Sequence, residues 1–213
     1  MIKVWGRSNS ANVQSVMWCI GEMQLAYERY DVGHGYGGTD TQEYYELNPN
    51  RLVPVIKDGD NPPLWESAAI LRYLCHRYGK PPFWPESLVE RTTIDMWAEW
   101  AKINIWPLFT MHIFFQLVRV PAAQRNMEAV ATSARTLGEK LALAEQRLGQ
   151  NDYLVGDVFS LADIQLGHIL YRYYELEFER ADLPNLRRYY EQLCQHPAYQ
   201  EHVMVSFDSL RAD

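Results

Sequence analysis

Two hydrophobic periods follow one another along this chain, and they divide it. In the first third, short β-branched and aromatic runs alternate with helical patterns. Ile2-Lys3-Val4-Trp5 predicts a first, buried strand, broken from Gly6 to Ser10. From Ala11 onward Val13, Val16, Met17, Ile20 and Met23 recur on one helical face. Leu25 to Tyr30 predicts a second strand and Val32 to Gly38 a flexible, glycine-rich loop. A short helix spans Thr41 to Leu47, with Thr41 as its N-cap. Val55-Ile56 and Leu64-Trp65, separated by the turn chemistry of Asp58-Gly59-Asp60-Asn61, predict a β-hairpin. Glu66-Ser67 then opens a helix carrying Ile70, Leu71, Leu74 and Cys75 at helical spacing.

Beyond residue 78 the period becomes helical throughout. Residues 79–87, rich in proline, read as a linker. Leu88 to Val118 is a long helical stretch, interrupted or kinked at Pro107 because proline lacks the N–H that a helix interior needs. Met127, Val130, Ala134, Leu137, Leu141, Ala144 and Leu148 predict an amphipathic helix. Ser160 and Asp163 have the order of a capping box, and their helix is expected to run on through Ile169 and Leu170. Pro184 begins a last major helix that stops near His196-Pro197. The reading is an α/β domain over 1–78, a linker over 79–87 and an all-α domain over 88–213.

Charge and composition exclude several function classes. With 213 residues and a net charge of −7, the chain has no basic excess with which to neutralise phosphates, so nucleic acid is not the expected partner. Cys19, Cys75 and Cys194 are far apart and fit neither a metal site nor a disulfide framework, so no metal is expected and a reducing cytoplasm is the simplest setting. The first residues carry no apolar leader, and no apolar run approaches the roughly 20 residues of a membrane span.

The chemistry concentrates between Asn48 and Tyr78. Pro54 cannot donate a ladder hydrogen bond, and a cis Val53-Pro54 bond would leave the backbone N–H and C=O of Val53 open to an extended peptide. The helix starting at Ser67 offers free N–H groups and a positive dipole end to a carboxylate, while Glu66 suits an ammonium. Side by side they fit an α-amino-acid head group.

The order NPN-x-x-VPV-x-x-DGD…LWESAAILRYL resembles the glutathione-binding half of the cytosolic glutathione transferases, a thioredoxin-like domain. DYLVGDVFSLADIQLGHIL and LPNLRRYYEQLCQHPAYQ resemble the helical C-terminal domain of the same family. The resemblance therefore covers nearly the whole chain. It implies the glutathione transferase architecture, a thioredoxin-like α/β domain followed by an all-α domain, with glutathione as co-substrate and a homodimer as the assembly. In that family the residue before the cis proline, here Val53 with Pro54, pairs with the cysteinyl backbone of glutathione, and the -ES- pair, here Glu66 and Ser67, holds the γ-glutamyl end.

Such an enzyme must favour thiolate over thiol, since a thiol with the reference pKa of about 8.5 is only roughly 3% ionised at pH 7. A hydroxyl donor to the charged sulfur contributes about 1.5–3 kcal/mol. A helix N-terminus adds about 0.3–1 kcal/mol. Arg7-Ser8-Asn9-Ser10-Ala11-Asn12-Val13 lies where the first strand meets the first helix and holds neither tyrosine nor cysteine. It is similar to the serine-type bacterial (theta-, zeta- or delta-like) members. Ser8, Asn9 and Ser10 all remain candidates, with Ser10 favoured through the R-x-x-S-x-N-V arrangement and a plain N-cap as its alternative role. Asn12 is a second amide donor or a loop tie. Arg51, and less so His34 and Tyr36, are candidates for the glycyl end, Arg51 leaning towards the surface. Trp106, Met111, His112 and Phe115, with Phe114, are candidates for the pocket of a small hydrophobic electrophile between the domains; such a stripe is more often core, and one or two of the five are expected to face the cleft. The implied activity is detoxifying conjugation. A glutathione-dependent disulfide reductase or isomerase, and a non-catalytic glutathione-binding module, are the alternatives.

Overall fold

The computed structural model describes residues 1–212, in two compact units. The first comprises Met1–Lys80 with Ala198–Val205, and the second Pro81–Pro197 with the residues from Ser206 on.

In the first unit, β1 (Ile2–Trp5) pairs parallel with β2 (Tyr27–Tyr30) and antiparallel with β3 (Val55–Asp58), which carries β4 (Leu64–Trp65) on its other edge. The strand order is β2-β1-β3-β4. Val4 lies opposite both Arg29 and Ile56, and it is fully buried with Val55 and Ile56. Between β1 and β2 runs α1 (Ala11–Glu22), and α3 (Ser67–Tyr78) packs beside it. α1 buries more than the one face its periodicity suggests, since Gln14, Ser15, Trp18 and Cys19 are covered too.

The second strand begins later than its sequence pattern suggests. Gln24 adopts φ 53°, the Gln24 N–H bonds the Gly21 carbonyl at 3.0 Å, and the Leu25 N–H bonds the Ile20 carbonyl at 3.0 Å. Those two bonds form a Schellman motif, so Leu25 closes the helix instead of starting the strand. The short α2 (Gln42–Leu47) has the expected cap, with Thr41 Oγ1 accepting from the Tyr44 N–H at 3.2 Å. At the far end of β3, Asp58 accepts from the hydroxyls of Tyr73 at 2.7 Å and Tyr78 at 2.6 Å. Burial works to raise its carboxyl, but those hydroxyls, the N-terminal ammonium and Arg77 hold it below the ordinary carboxylate range.

The last helix, α9 (Pro197–His202), lies against α1. Tyr199 packs edge-on to Trp18 at 4.7 Å, and the His202 ring meets Tyr27 at 5.9 Å. A Cβ at Gly21 would stand 2.9 Å from both Ala198 and His202, so glycine is what lets this segment approach.

The second unit is helical: α4 (Leu88–Trp100), α5 (Met127–Leu148), α6 (Leu161–Gly167), α7 (Leu170–Glu175) and α8 (Pro184–Leu193). The stretch after α4 does not break at Pro107. It passes the proline in α conformation between two π-helical segments, Ala101–Ile105 and Leu108–Arg119. In the first of these the Trp106 N–H reaches the Ala101 carbonyl, five residues back. Wider winding is how a helix absorbs a disturbed i→i−4 ladder.

The capping box forms as expected at the head of α6, but the helix does not run on. It stops at Gly167, with His168 and Ile169 in a turn before α7. Gly167 weakens the helix, and the Ile164 carbonyl accepts both the His168 N–H and its ring Nδ1, each at 3.2 Å. The N-terminus of α8 is closed from α5, with the Glu145 carboxylate accepting from the Asn185 and Leu186 N–H groups at 3.0 and 2.8 Å. Among the described residues, no helix is long and apolar enough to cross a membrane.

Candidate functional site

The loop from Gly6 to Asn12 extends the β1–β2 pairing and then turns into α1. Gly6 N–H bonds the Tyr30 carbonyl at 2.9 Å and Arg7 N–H the Val32 carbonyl at 3.2 Å. Ser10 N–H returns to the Arg7 carbonyl at 3.2 Å, closing a tight turn over Ser8 and Asn9. A side chain at Gly6 would put its Cβ 2.4 Å from Val13 Cγ2, so glycine lets the loop lie down on α1.

Ser10 occupies the N-cap position in extended conformation, and its carbonyl starts the helix by accepting the Gln14 N–H at 2.8 Å. Its hydroxyl makes no cap bond to the first turn. The capping role that Ser and Thr usually fill is thus not the one this hydroxyl performs. Ser10 is 9% exposed, at the head of a helix with no acidic residue in its first turn, so the positive dipole end faces the loop uncompensated from within α1. Ser8 is half-buried in the turn, and Asn9, 9% exposed, accepts from Arg7 Nη1 through Oδ1 at 2.9 Å.

Val53 and Pro54 stand before β3, and their peptide bond is cis. The hydroxyl of Tyr44 and the amide of Asn48 both donate to the Leu52 carbonyl, at 2.8 and 2.9 Å, which anchors the chain one residue earlier. Neither the N–H nor the C=O of Val53 is taken by another described residue. An extended strand edge is therefore on offer at Val53.

Glu66 and Ser67 form the head of α3. Glu66 is exposed, holds φ 69° and makes no side-chain cap bond. A carboxylate held in that sparsely populated backbone region is the kind of outlier found where a ligand is clamped. Ser67 is buried, and its Oγ donates to Asn12 Oδ1 at 3.4 Å. That contact, between the second residue of α1 and the first of α3, brings two helix N-termini together. That bond, between residues 55 apart in sequence, brings the Ser10 loop and the Glu66-Ser67 pair into one candidate site.

Arg51 is turned inward. With φ 56°, it donates from Nη1 to the carbonyls of Thr39 and Thr41, each at 3.0 Å, and its guanidinium lies 5.2 Å from the Tyr45 ring centre. It clamps the end of the glycine-rich loop to α2. His34 and Tyr36, in a 3₁₀ turn of that loop, are both exposed.

In the second unit, the aromatic candidates separate. Phe114 is core, packed among Phe109, Phe207 and the Arg172 guanidinium. Trp106 is half-buried beneath Lys102 Nζ at 4.6 Å, and Phe115 is half-buried beside Arg119. Met111 and His112 are exposed on the same π-helical segment. Sequence reasoning passed over Arg7, although an arginine directly after the strand-ending glycine, within a loop of small polar residues, was the available signal.

Comparison with known proteins gives the family of the chain. Family models described as the glutathione S-transferase N-terminal and C-terminal domains match residues 9–77 and 105–197. Glutathione S-transferase GstB of Escherichia coli is 34% identical over 208 residues, covering 96% of this chain and 99% of that protein. The theta class glutathione S-transferase of Xanthomonas axonopodis pv. citri, solved with glutathione bound, aligns with a TM-score of 0.90 at 40% identity, over 96% of this chain and 98% of that one. A glutathione S-transferase structure from Pseudomonas fluorescens aligns with a TM-score of 0.78 at 27% identity, over 96% and 99% of the two chains.

Proposed function

The chain belongs to the glutathione S-transferase family, and from that premise we propose that it activates glutathione as a thiolate at Ser10 for attack on a small hydrophobic electrophile. The observation that carries this reading is the Ser10 hydroxyl, free of any cap bond, at the N-terminus of α1 and joined through Asn12 and Ser67 to the head of α3. Glutathione lies along that side of the first unit. Its γ-glutamyl carboxylate takes the N-terminus of α3 at Ser67, and its ammonium pairs with Glu66. Its cysteinyl backbone pairs with Val53, which brings the sulfur to Ser10. Arg51 serves the glycyl end indirectly, by holding the loop that carries His34 and Tyr36.

The chemical step needs only a stabilised anion. The glutathione S–H gives its proton to solvent, the thiolate forms the new C–S bond, and the leaving group or double bond takes the electron pair. Trp106, Met111, His112 and Phe115 supply the apolar and aromatic surface that receives the electrophile. We further propose a cytoplasmic homodimer. On α4 and the segment after it, Leu88, Met96 and Ile103 are 76%, 65% and 61% exposed at helical spacing, an apolar stripe suited to a second copy. Sedimentation at micromolar protein is expected to give the mass of two chains, and Met96→Glu to give that of one.

The test of the function is an ultraviolet difference titration of glutathione across pH. Wild type is expected to develop a thiolate signal at pH 7, below the reference thiol pKa of about 8.5. Binding without that signal, and without turnover of any electrophile, would favour a non-catalytic glutathione-binding module.

A further inference from the structure

The turn that carries Ser8, Asn9 and Ser10 is organised by the residue in front of it. Arg7 contributes to it three times: its N–H bonds the Val32 carbonyl at 3.2 Å, its carbonyl accepts the Ser10 N–H at 3.2 Å, and its Nη1 donates to Asn9 Oδ1 at 2.9 Å. The last bond fixes more than position. A guanidinium can only donate, so the atom of Asn9 that meets it is the amide oxygen. The amide nitrogen, a donor, is thereby turned away from Arg7. Rotated by half a turn, the same amide would direct its oxygen to the opposite side, and an oxygen there would repel an anionic sulfur. Asn9 is 9% exposed and adjoins Ser10, itself 9% exposed, so both side chains belong to the enclosed floor of the turn.

We propose that Arg7 is a positioning residue for thiolate formation: its guanidinium locks the Asn9 amide so that a donor, rather than an acceptor, accompanies the Ser10 hydroxyl at the glutathione sulfur. The inference rests on the assignment of the sulfur to Ser10. Arg7 acts through Asn9 and does not touch the substrate. This distinguishes it from a cation that stabilises the thiolate across space, because an electrostatic effect of that kind would not depend on what stands at position 9.

The experiment is a double-substitution cycle on the pKa of protein-bound glutathione, read by ultraviolet difference and by the pH profile of kcat, in wild type, Arg7→Gln, Asn9→Ala and the double variant. Each single change is expected to raise the bound thiol pKa by about one unit, the scale of one lost donor to a charged group. The double variant is expected to shift no further than either single one. The dissociation constant of S-methylglutathione, which cannot ionise, should stay within about threefold, since a thioether makes no thiolate for Asn9 to stabilise. A shift from Arg7→Gln that persists in full in the Asn9→Ala background overturns the proposal, as does an unshifted thiol pKa in Arg7→Gln. Should Arg7→Gln not fold, the cycle is run with Arg7→Lys, whose single flexible ammonium holds the amide less firmly; the same non-additivity supports the inference and additivity sinks it. Failure of the underlying assignment looks different, as a wild type without thiolate or a Ser10→Ala protein whose bound thiol titrates as in wild type.

Discussion

Ser10→Ala is expected to raise the pKa of bound glutathione by about 1–2 units, the equivalent of one charge-assisted hydrogen bond of roughly 1.5–3 kcal/mol. Below the wild-type thiol pKa, kcat/KM should fall by about 10–100-fold, each unit of pKa removing about tenfold of the reactive species. Above the raised pKa the thiolate forms without help, so the deficit should shrink as pH rises. Binding of glutathione itself should change little, because Glu66, Ser67 and Val53 are untouched. Fold stability should change little as well, since the Ser10 hydroxyl makes no cap bond to α1. That last expectation separates the catalytic role from the capping one, for which alanine would cost about 0.5–2 kcal/mol. Ser8→Ala is the control. A thiolate signal lost there and kept in Ser10→Ala would move the catalytic hydroxyl to Ser8 and leave the family's chemistry intact.

Asp163→Ala should remove a large share of the protein's stability. The carboxylate is fully buried at the head of α6 and accepts from the Leu154 N–H at 3.0 Å, the Ser160 N–H at 2.8 Å, the Ser160 hydroxyl at 3.0 Å and the Tyr189 hydroxyl at 2.9 Å. Alanine strands two backbone amides at roughly 1–3 kcal/mol each, so a loss of about 4 kcal/mol is expected in urea unfolding. Typical domains have only about 5–15 kcal/mol in total.

The pH dependence carries a second signature. Burial pushes the Asp163 carboxyl up to about 6 despite its hydrogen bonds, against an ordinary value of 3.8. Between those values the folded state holds a proton that the unfolded state has released, so this group's contribution to stability falls as pH rises from 3.8 to about 6. His168, also buried, is depressed to about 3 from 6.5, chiefly by desolvation and secondarily by Lys102. Its contribution is complete above pH 6.5 and is lost as pH falls towards about 3. The two oppose each other across pH 3.8–6. In Asp163→Asn only the histidine slope remains. The variant should therefore lose stability relative to wild type by about 1.4 kcal/mol per pH unit on acidification through that window. A parallel pH dependence of the two proteins would refute this pairing.

Much of the architecture was legible because it is written locally. Val4 and Ile56 declare a buried strand by their β-branched chemistry, and the Asp58-Gly59 turn declares the hairpin. Thr41 and the Ser160/Asp163 pair announce helix starts from within four residues of their partners, and each performs that role in the fold. The Val53-Pro54 and Glu66-Ser67 pairs were found the same way, from residue types whose backbone consequences are immediate.

Where expectation and structure part, the deciding partner lies further off or an alternative local bond wins. Leu25 reads as strand by composition, yet its N–H closes α1 because Gln24 takes a left-handed conformation. Leu170 follows Leu166 in helical spacing, but His168 competes for the Ile164 carbonyl and the helix restarts. Arg51, an exposed-looking arginine in sequence, finds two loop carbonyls ten and twelve residues away.

The sequence by itself determined the order of elements, the helix caps and the residue types of the candidate site, because periodicity, turns and caps act over a few residues. Only the tertiary structure decided that the Ser10 hydroxyl is not spent on its own helix, that Asn12 meets Ser67, and that Tyr199 returns to pack on Trp18. Those outcomes depend on closing long loops. The entropy of such closure is repaid by the summed burial of the whole core, which no single stretch of sequence displays.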